Sequence, residues 1–380
     1  MNKLYFAGLL LLLCTTYLPL PAVAQNKYKH PPLTDQHAHR NVRALYANLQ
    51  EIAGQGILFG HQDALAYGVM WKEEEGRSDV KDVCGAYPAV FGWDVSKLGK
   101  SRYNIDTVYF EKMRHWILEA YKMGAVNTIS WHMDNPVSGG TAWDTVSAVA
   151  AILPGGPKHE MYVAQLGLFA SFVKSLRAGF PRKPVPIIFR PFHEQSGPWF
   201  WWGKGNCSAE EYKALWRFTV EYLRDTIGLN NLLYAYSPDI VESAEHYLEF
   251  YPGDEYVDIL GLDDYRDVEL LSGQEALTRR LELVTRLAAE KGKVAALTET
   301  GYEGIPDSSW WTDVLLRRIK ASPEAQKIAY LLVWRNANPK HHYAPYPGHG
   351  SAPNFVAFKS DPALLFQDNM PKMYRFPKKK

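Results

Sequence analysis

Cysteine is nearly missing from this chain of 380 residues, which carries only Cys14, Cys84 and Cys207. That excludes a small disulfide-stapled scaffold and the paired cysteine spacing of a structural zinc site. Charge of either sign is missing as an excess: 42 Lys and Arg stand against 41 Asp and Glu, with the signs evenly mixed. Without a basic stripe, a nucleic-acid partner is not indicated, and a neutral or small polar ligand is the default. No internal repeat and no Ser/Thr/Gly linker divides the chain. A glycine-rich phosphate turn after the first strand candidate is also absent, since Gly60-His61-Gln62-Asp63 stands in that place. The long hydrophobic run is confined to the start and is broken by Thr15, Thr16, Pro19 and Pro21, too soon for a membrane span.

That start reads as a secretory signal. Lys3 supplies a positive region, Phe6, Ala7 and Leu9 to Leu13 an apolar one, and Ala22-Val23-Ala24 a small-x-small cleavage site before Gln25. A lipid anchor at Cys14 is the alternative, although Leu13 occupies the place where a small residue is wanted. Residues 1–24 are therefore expected to be removed. A tether follows over residues 25–35, one main domain over 36–372, and a basic tail over 373–380. The expected destination is the periplasm or the cell exterior. An oxidising compartment permits a bond between Cys84 and Cys207, but a chain of this size does not need one.

Rings with a polar handle are plentiful, with 12 Trp and 23 Tyr. Such rings suit the mixed faces of sugars, though large cores also use them. Eight apolar runs recur between longer amphipathic stretches: Ile57–Gln62, Ala89–Asp94, Ala125–His132, Pro186–Glu194, Asn231–Pro238, Val257–Tyr265, Val294–Gly301 and Ile328–Ala337. Helical spacing falls between them, at Val108–Met123, Tyr162–Ala178, Ala209–Thr226, Gln274–Lys291 and Trp310–Lys320. Doubly buried strands alternating with helices imply a parallel sheet, and eight units close a (β/α)8 TIM barrel of α/β class. The runs start apolar and end in His61/Asp63, Trp93/Asp94, Trp131/His132, His193/Glu194, Asp263/Tyr265, Glu299 and Trp334/Arg335, as a site at the C-terminal mouth requires. Two segments read as ordered loops: Ser138–Gly156 with Trp143, and Asn338–Pro362 over the mouth.

Glu194 and Glu299 are the candidate catalytic pair. A carboxylate at the end of an apolar strand is expensive unless it is paired or used. Ending strands four and seven, the two face each other across the ring. A pair about 5–5.5 Å apart supports retaining glycoside hydrolysis, and one about 6.5–9.5 Å apart inverting hydrolysis; both stay open at this point. An ion pair with Arg190 is the structural alternative for either residue. Arg190 and the Tyr265 hydroxyl are candidates to hold a nucleophile charged, and His132 and His193 to contact sugar hydroxyls or a carboxylate. Trp199, Trp334 and Trp143 are candidate sugar platforms, while Trp201 reads as closing the barrel top. A metal-hydrolase reading would draw on His61, Asp63, His132, Asp134 and His193, but the first strand carries Gln62 where a second histidine is usual, and no metal is expected.

The stretch Arg190-Pro191-Phe192-His193-Glu194-Gln195-Ser196-Gly197-Pro198-Trp199-Phe200-Trp201-Trp202-Gly203 resembles the acid/base signature of glycoside hydrolase family 26, the β-mannanases. The resemblance extends through Gly60–Asp63, Ser130–His132, Tyr251–Tyr265, Leu297–Thr300, Val333–Ala337 and Pro345–His349. It implies a (β/α)8 barrel that hydrolyses β-1,4-mannosidic bonds with retention and without a cofactor. It further implies Glu194 as acid/base, Glu299 as nucleophile, His132, His193, Tyr265, Trp199 and Trp334 as site residues, and Arg335 as a distal sugar contact. Ser196 departs from the family's usual asparagine, which puts the exact β-glycan in question: mannan, galactomannan or glucomannan, or else mixed-linkage β-glucan or β-1,3-xylan. A barrel that binds glycan without turnover is a third reading. The partner expected is a β-mannan or a manno-oligosaccharide, met by a monomer with no nucleic acid and no membrane span.

Overall fold

The computed structural model describes residues 33–269 and 275–377. Eight strands form one parallel ring: β1 (Ile57–Gln62), β2 (Val90–Asp94), β3 (Val126–Ser130), β4 (Ile187–Arg190), β5 (Leu232–Tyr236), β6 (Ile259–Asp264), β7 (Val294–Thr300) and β8 (Ile328–Val333). Each pairs in parallel with its sequence neighbour, and β1 closes on β8 from Leu58 opposite Tyr330 to His61 opposite Val333. The expected (β/α)8 barrel is the observed fold.

Period-two alternation places successive side chains on opposite faces of each strand, and it separates two cores. Leu58, Val90, Val126, Ile188, Leu233, Ile259, Ala296 and Tyr330 pack in one cluster with Leu45 and Leu49 of helix α1 (Arg40–Ile52), which plugs the N-terminal end of the ring. Ile57, Phe59, Phe91, Ile129, Phe189 and Leu260 belong to the larger cluster shared with the outer helices. Those helices are α2 (Phe110–Lys122), α3 (His159–Ser175), α4 (Ala209–Glu221), α5 (Ala276–Lys291) and α6 (Ala352–Lys359). Helix α4 begins with a reciprocal cap: Ser208 accepts from the Glu211 amide, and Glu211 accepts from the Ser208 amide.

Several expectations need correction. Strand β4 stops at Arg190 rather than running to Glu194, because Pro191 has no N–H for the ladder. Residues 338–362 are not only a loop over the mouth. They include α6, whose Phe355 and Phe358 pack edge-on against Phe59, so this segment supplies the helix that covers β1. The described end of the tether is fixed: Leu33 to Asp35 are buried, and the Thr34 amide donates to Asp258 Oδ1 at 2.8 Å. The described part of the tail is docked. Met373 is buried, and the Tyr374 hydroxyl donates to the Ala125 carbonyl at 2.6 Å. The signal segment and Lys378 to Lys380 lie outside the described residues. Cys84 and Cys207 are both free.

Phe59 is fully buried among Trp311, Phe355, Phe358 and Phe366. Truncating it leaves a cavity that flanking rings cannot fill, so Phe59→Ala is expected to cost about 3–5 kcal/mol. Chemical denaturation of the variant checks this, and a loss below about 1 kcal/mol would contradict the packing role.

Candidate active site

The C-terminal ends of the strands gather the chemistry. Arg190, at the end of β4, reaches across the ring. Its Nη1 donates to Asp263 Oδ2 of β6 at 2.6 Å and to the Ser237 hydroxyl at 3.2 Å, and its Nη2 pairs with Glu299 Oε2 of β7. The Tyr265 hydroxyl donates to the other carboxylate oxygen, Glu299 Oε1, at 2.7 Å. Both oxygens of Glu299 are thus held by hydrogen-bond donors, one of them a charged guanidinium.

Glu194 has a different setting. It lies four residues beyond β4, on a turn in which Phe192 and Glu194 itself have φ of 48° and 55°. Non-glycine residues seldom adopt that region, and the cost is typically tolerated at functional sites. The turn is braced where the Glu194 amide donates to the Ser237 carbonyl at 2.8 Å. The Glu194 carboxyl accepts from Trp199 Nε1 at 2.7 Å. Burial, then the negative charges of Glu299, Asp263 and Asp239, push its pKa well above the usual carboxylate range, against the opposing Trp199 bond. Gly197 is required beneath the same tryptophan, since a Cβ there would lie 2.0 Å from the Trp199 ring.

The two histidines engage each other, with Nε2 atoms 3.2 Å apart. His132 Nδ1 also meets Asp94 Oδ2 at 2.9 Å. Burial opposes charge on His132, but Asp94 outweighs it and the pKa is raised. His193 is pushed well below its ordinary value by burial and by the charges of Arg190 and His132. Of the two, His132 is thus the more readily charged. Trp143 lies flat on the His132 ring, with centroids 5.0 Å apart and planes 13° apart, and Trp334 meets it edge-on at 6.0 Å. Trp143 and the half-buried Trp199 and Trp334 therefore offer aromatic surface around the two glutamates.

Other sequence candidates take supporting places. Arg335 pairs with Asp106 at 3.0 Å, beside Asp63, whose Oδ2 accepts from the Tyr67 hydroxyl at 2.7 Å. His61 is buried next to Asn336, and burial lowers its pKa to about 3. Asp134 pairs outward with Lys100 at 3.0 Å. Of the side chains invoked for a metal, His132 and His193 meet each other while Asp63 and Asp134 turn to other partners, and no metal-binding group of three occurs among the described residues. Trp201 and Trp202 are buried and donate to the Met133 and His193 carbonyls at 2.8 Å each; they shape the turn and offer no sugar platform. Ser196 Oγ has no hydrogen-bond partner.

Sequence reasoning missed four contributors. Asp94 and Asp263 were visible as polar strand ends, but nothing local tied them to His132 or Arg190. Ser237 carried no signal. Tyr343 packs edge-on against Tyr265 at 5.7 Å, over Gly301, where φ is 140° and a Cβ would sit 2.7 Å from the tyrosine ring. It lay in a stretch legible only as loop.

Two carboxyl groups in opposite electrostatic settings, rimmed by aromatic rings at the mouth of a (β/α)8 barrel, define a glycosidase-class site. Residues 34–340 match the model of glycosyl hydrolase family 26. A mannan endo-1,4-beta-mannosidase of Bifidobacterium adolescentis is 31% identical over 349 residues, covering 86% of this chain and 33% of that protein; the chain thus spans about a third of that relative's length. Among solved structures, the GH26 beta-mannanase BoMan26A from Bacteroides ovatus is 42% identical with a TM-score of 0.86, covering 90% of this chain and 99% of that one. The catalytic domain of an endo-beta-1,4-mannanase from Bacillus sp. JAMB-750 is 37% identical with a TM-score of 0.84, covering 91% and 96%. The chain belongs to glycosyl hydrolase family 26.

The raised pKa of Glu194 has a stability consequence. An acid whose folded pKa lies above its unfolded value contributes nothing below the unfolded value, about 4.3, and destabilises progressively as pH rises toward and through the folded one. Glu194→Gln is therefore expected to raise the melting temperature at pH 8 and to leave it nearly unchanged at pH 4. An equal shift at both pH values would contradict the assigned protonation.

Proposed function

We propose that this protein hydrolyses β-1,4-mannosidic bonds in mannan, galactomannan or glucomannan with retention of anomeric configuration. The observation that carries this reading is the electrostatic split between Glu299, held by Arg190 and Tyr265, and Glu194, enclosed and made reluctant to ionise. The Glu299 carboxylate attacks the anomeric carbon and forms a glycosyl ester as the C–O bond to the leaving sugar breaks. Glu194 gives its proton to that departing oxygen. Esterification removes the charge of Glu299, one of the influences that raise the Glu194 pKa. Glu194, now a carboxylate with less repulsion, is suited to take a proton from the incoming water. Water then attacks the same carbon, and Glu299 departs as a carboxylate.

His132, His193, Trp143, Trp199 and Trp334 are the residues assigned to sugar contact, and Arg335 with Asp106 and Asp63 to a more distant one. The steps described need no cofactor. Residues 1–24 act as a cleaved signal that delivers a monomer to the periplasm or the cell exterior. Unpartnered Ser196, which replaces a larger amide in the resemblance drawn from the sequence, keeps mixed-linkage β-glucan and β-1,3-xylan as a second reading. Reducing-end release from mannan, mixed-linkage glucan and β-1,3-xylan separates these; binding without release from any would leave a non-catalytic barrel.

Glu299→Ala is expected to abolish turnover of mannan and of an activated aryl mannoside alike. Glu194→Ala should lose about 10²–10⁴-fold on mannan and far less formation of the glycosyl ester from the aryl substrate, whose leaving group needs no proton. Equal losses for both variants on the aryl substrate would overturn the assignment of roles. Circular dichroism of each variant controls for folding, because removing Glu299 leaves Arg190 short of a buried partner.

A further inference from the structure

At the barrel end opposite the catalytic mouth, two phenylalanines project uncovered. Phe180 occupies the tip of a short antiparallel hairpin, Arg177–Ala178 with Lys183–Pro184, and is fully exposed. The hairpin immediately precedes β4 and so lies at the N-terminal end of the ring. From Lys174 to Lys183 the sequence carries four basic residues and no acidic one; Arg177, Arg182 and Lys183 are all exposed. Arg177 Nη2 donates to the Arg182 carbonyl at 2.8 Å, which braces the tip beneath Phe180.

The second ring is Phe376, also exposed, with the Arg40 guanidinium 5.9 Å from its centroid. Lys372 and Arg375 line the cleft beside it, together with Glu51. From Lys372 to Lys380 there are five basic residues and no acidic one, the last three lying outside the described residues. The patches adjoin. His39, next to Arg40, lies close enough to Lys183 and Arg177 for their charges to add to burial in lowering its pKa. Toward Lys291 and Lys293 the same end becomes mixed in sign, with Asp225, Asp254 and Glu255, so the basic character is local. In a chain of net charge +1, this concentration is not a compositional accident of a basic protein.

We propose that this face docks onto an anionic lipid surface, with Phe180 and Phe376 entering the headgroup layer while Arg40, Arg177, Arg182 and Lys183 pair with lipid phosphates. A phenylalanine has no polar atom to satisfy in a cleft, and this one stands on a protrusion, so it needs a yielding apolar layer. Basic side chains around such a ring add attraction to an anionic bilayer. Docking in this orientation turns the catalytic mouth away from the membrane, toward soluble polymer. The inference does not depend on which glycan is cleaved.

Flotation with lipid vesicles tests it, using protein from Gln25 onward, which keeps every described residue and removes the apolar leader. The protein is expected to float with vesicles of 30% phosphatidylglycerol in phosphatidylcholine at low salt, and not with phosphatidylcholine alone. Phe180→Ser should reduce the floated fraction severalfold, and Arg182→Glu with Lys183→Glu more than about tenfold, at roughly fivefold per lost charge. Hydrolysis of soluble manno-oligosaccharide should be unchanged in both variants, which also reports correct folding. Failure to float with anionic vesicles, or full binding by Phe180→Ser, would overturn the proposal. So would retention on a soluble polyanion such as heparin without vesicle binding.

Discussion

The buried guanidinium of Arg190 is the contact on which the site depends. One planar cation ties the end of β4 to Asp263 on β6 and Glu299 on β7, with Ser237 beyond β5 completing its contacts. Isolated charges in such a place would be prohibitively costly, and removing one partner from a buried set strands the others. The planar donor fork of arginine satisfies two carboxylates at once, which a lysine ammonium would not do with the same geometry. The same contact ties three strands together and positions Glu299, so structure and site share one interaction.

Around that cation the protein divides two glutamates by surroundings alone. Glu299 meets Arg190 and the Tyr265 hydroxyl, with Tyr343 behind the latter. Glu194 meets a single indole N–H in a region already crowded with negative charge. The histidines are split by the same logic. Asp94 favours charge on His132, while burial, Arg190 and His132 disfavour it on His193. Each ionisation state is imposed by its neighbour, so one substitution here should alter several groups.

The two ends of the ring have different tasks. At the C-terminal end, strands stop early and hand over to turns with strained residues such as Phe192, Glu194 and Asp63. At the N-terminal end, α1 and the segment around Met373 close the ring: Asn48 Nδ2 donates to the Met373 and Arg375 carbonyls at 3.0 and 2.7 Å. Stability is thus built where no chemistry occurs, and the other end can keep polar groups and strain.

Sequence alone determined the eight-strand ring and the polar strand ends gathered at its mouth, because period-two burial and helical spacing are local patterns. Helix α6 escaped notice, because its apolar residues have almost no one-sided pattern in a stretch rich in Pro, Gly and Tyr. The true end of β4 was legible in Pro191 but was outweighed by the apolar run before it. Only the tertiary structure decided the partners. Asp94 with His132, Asp263 with Arg190 and Tyr343 with Tyr265 are separated by 38, 73 and 78 positions, and no local pattern encodes which strand ends a closed ring brings within hydrogen-bonding distance. Protonation was decided there too, since burial and neighbouring charge exist only once the ring has closed.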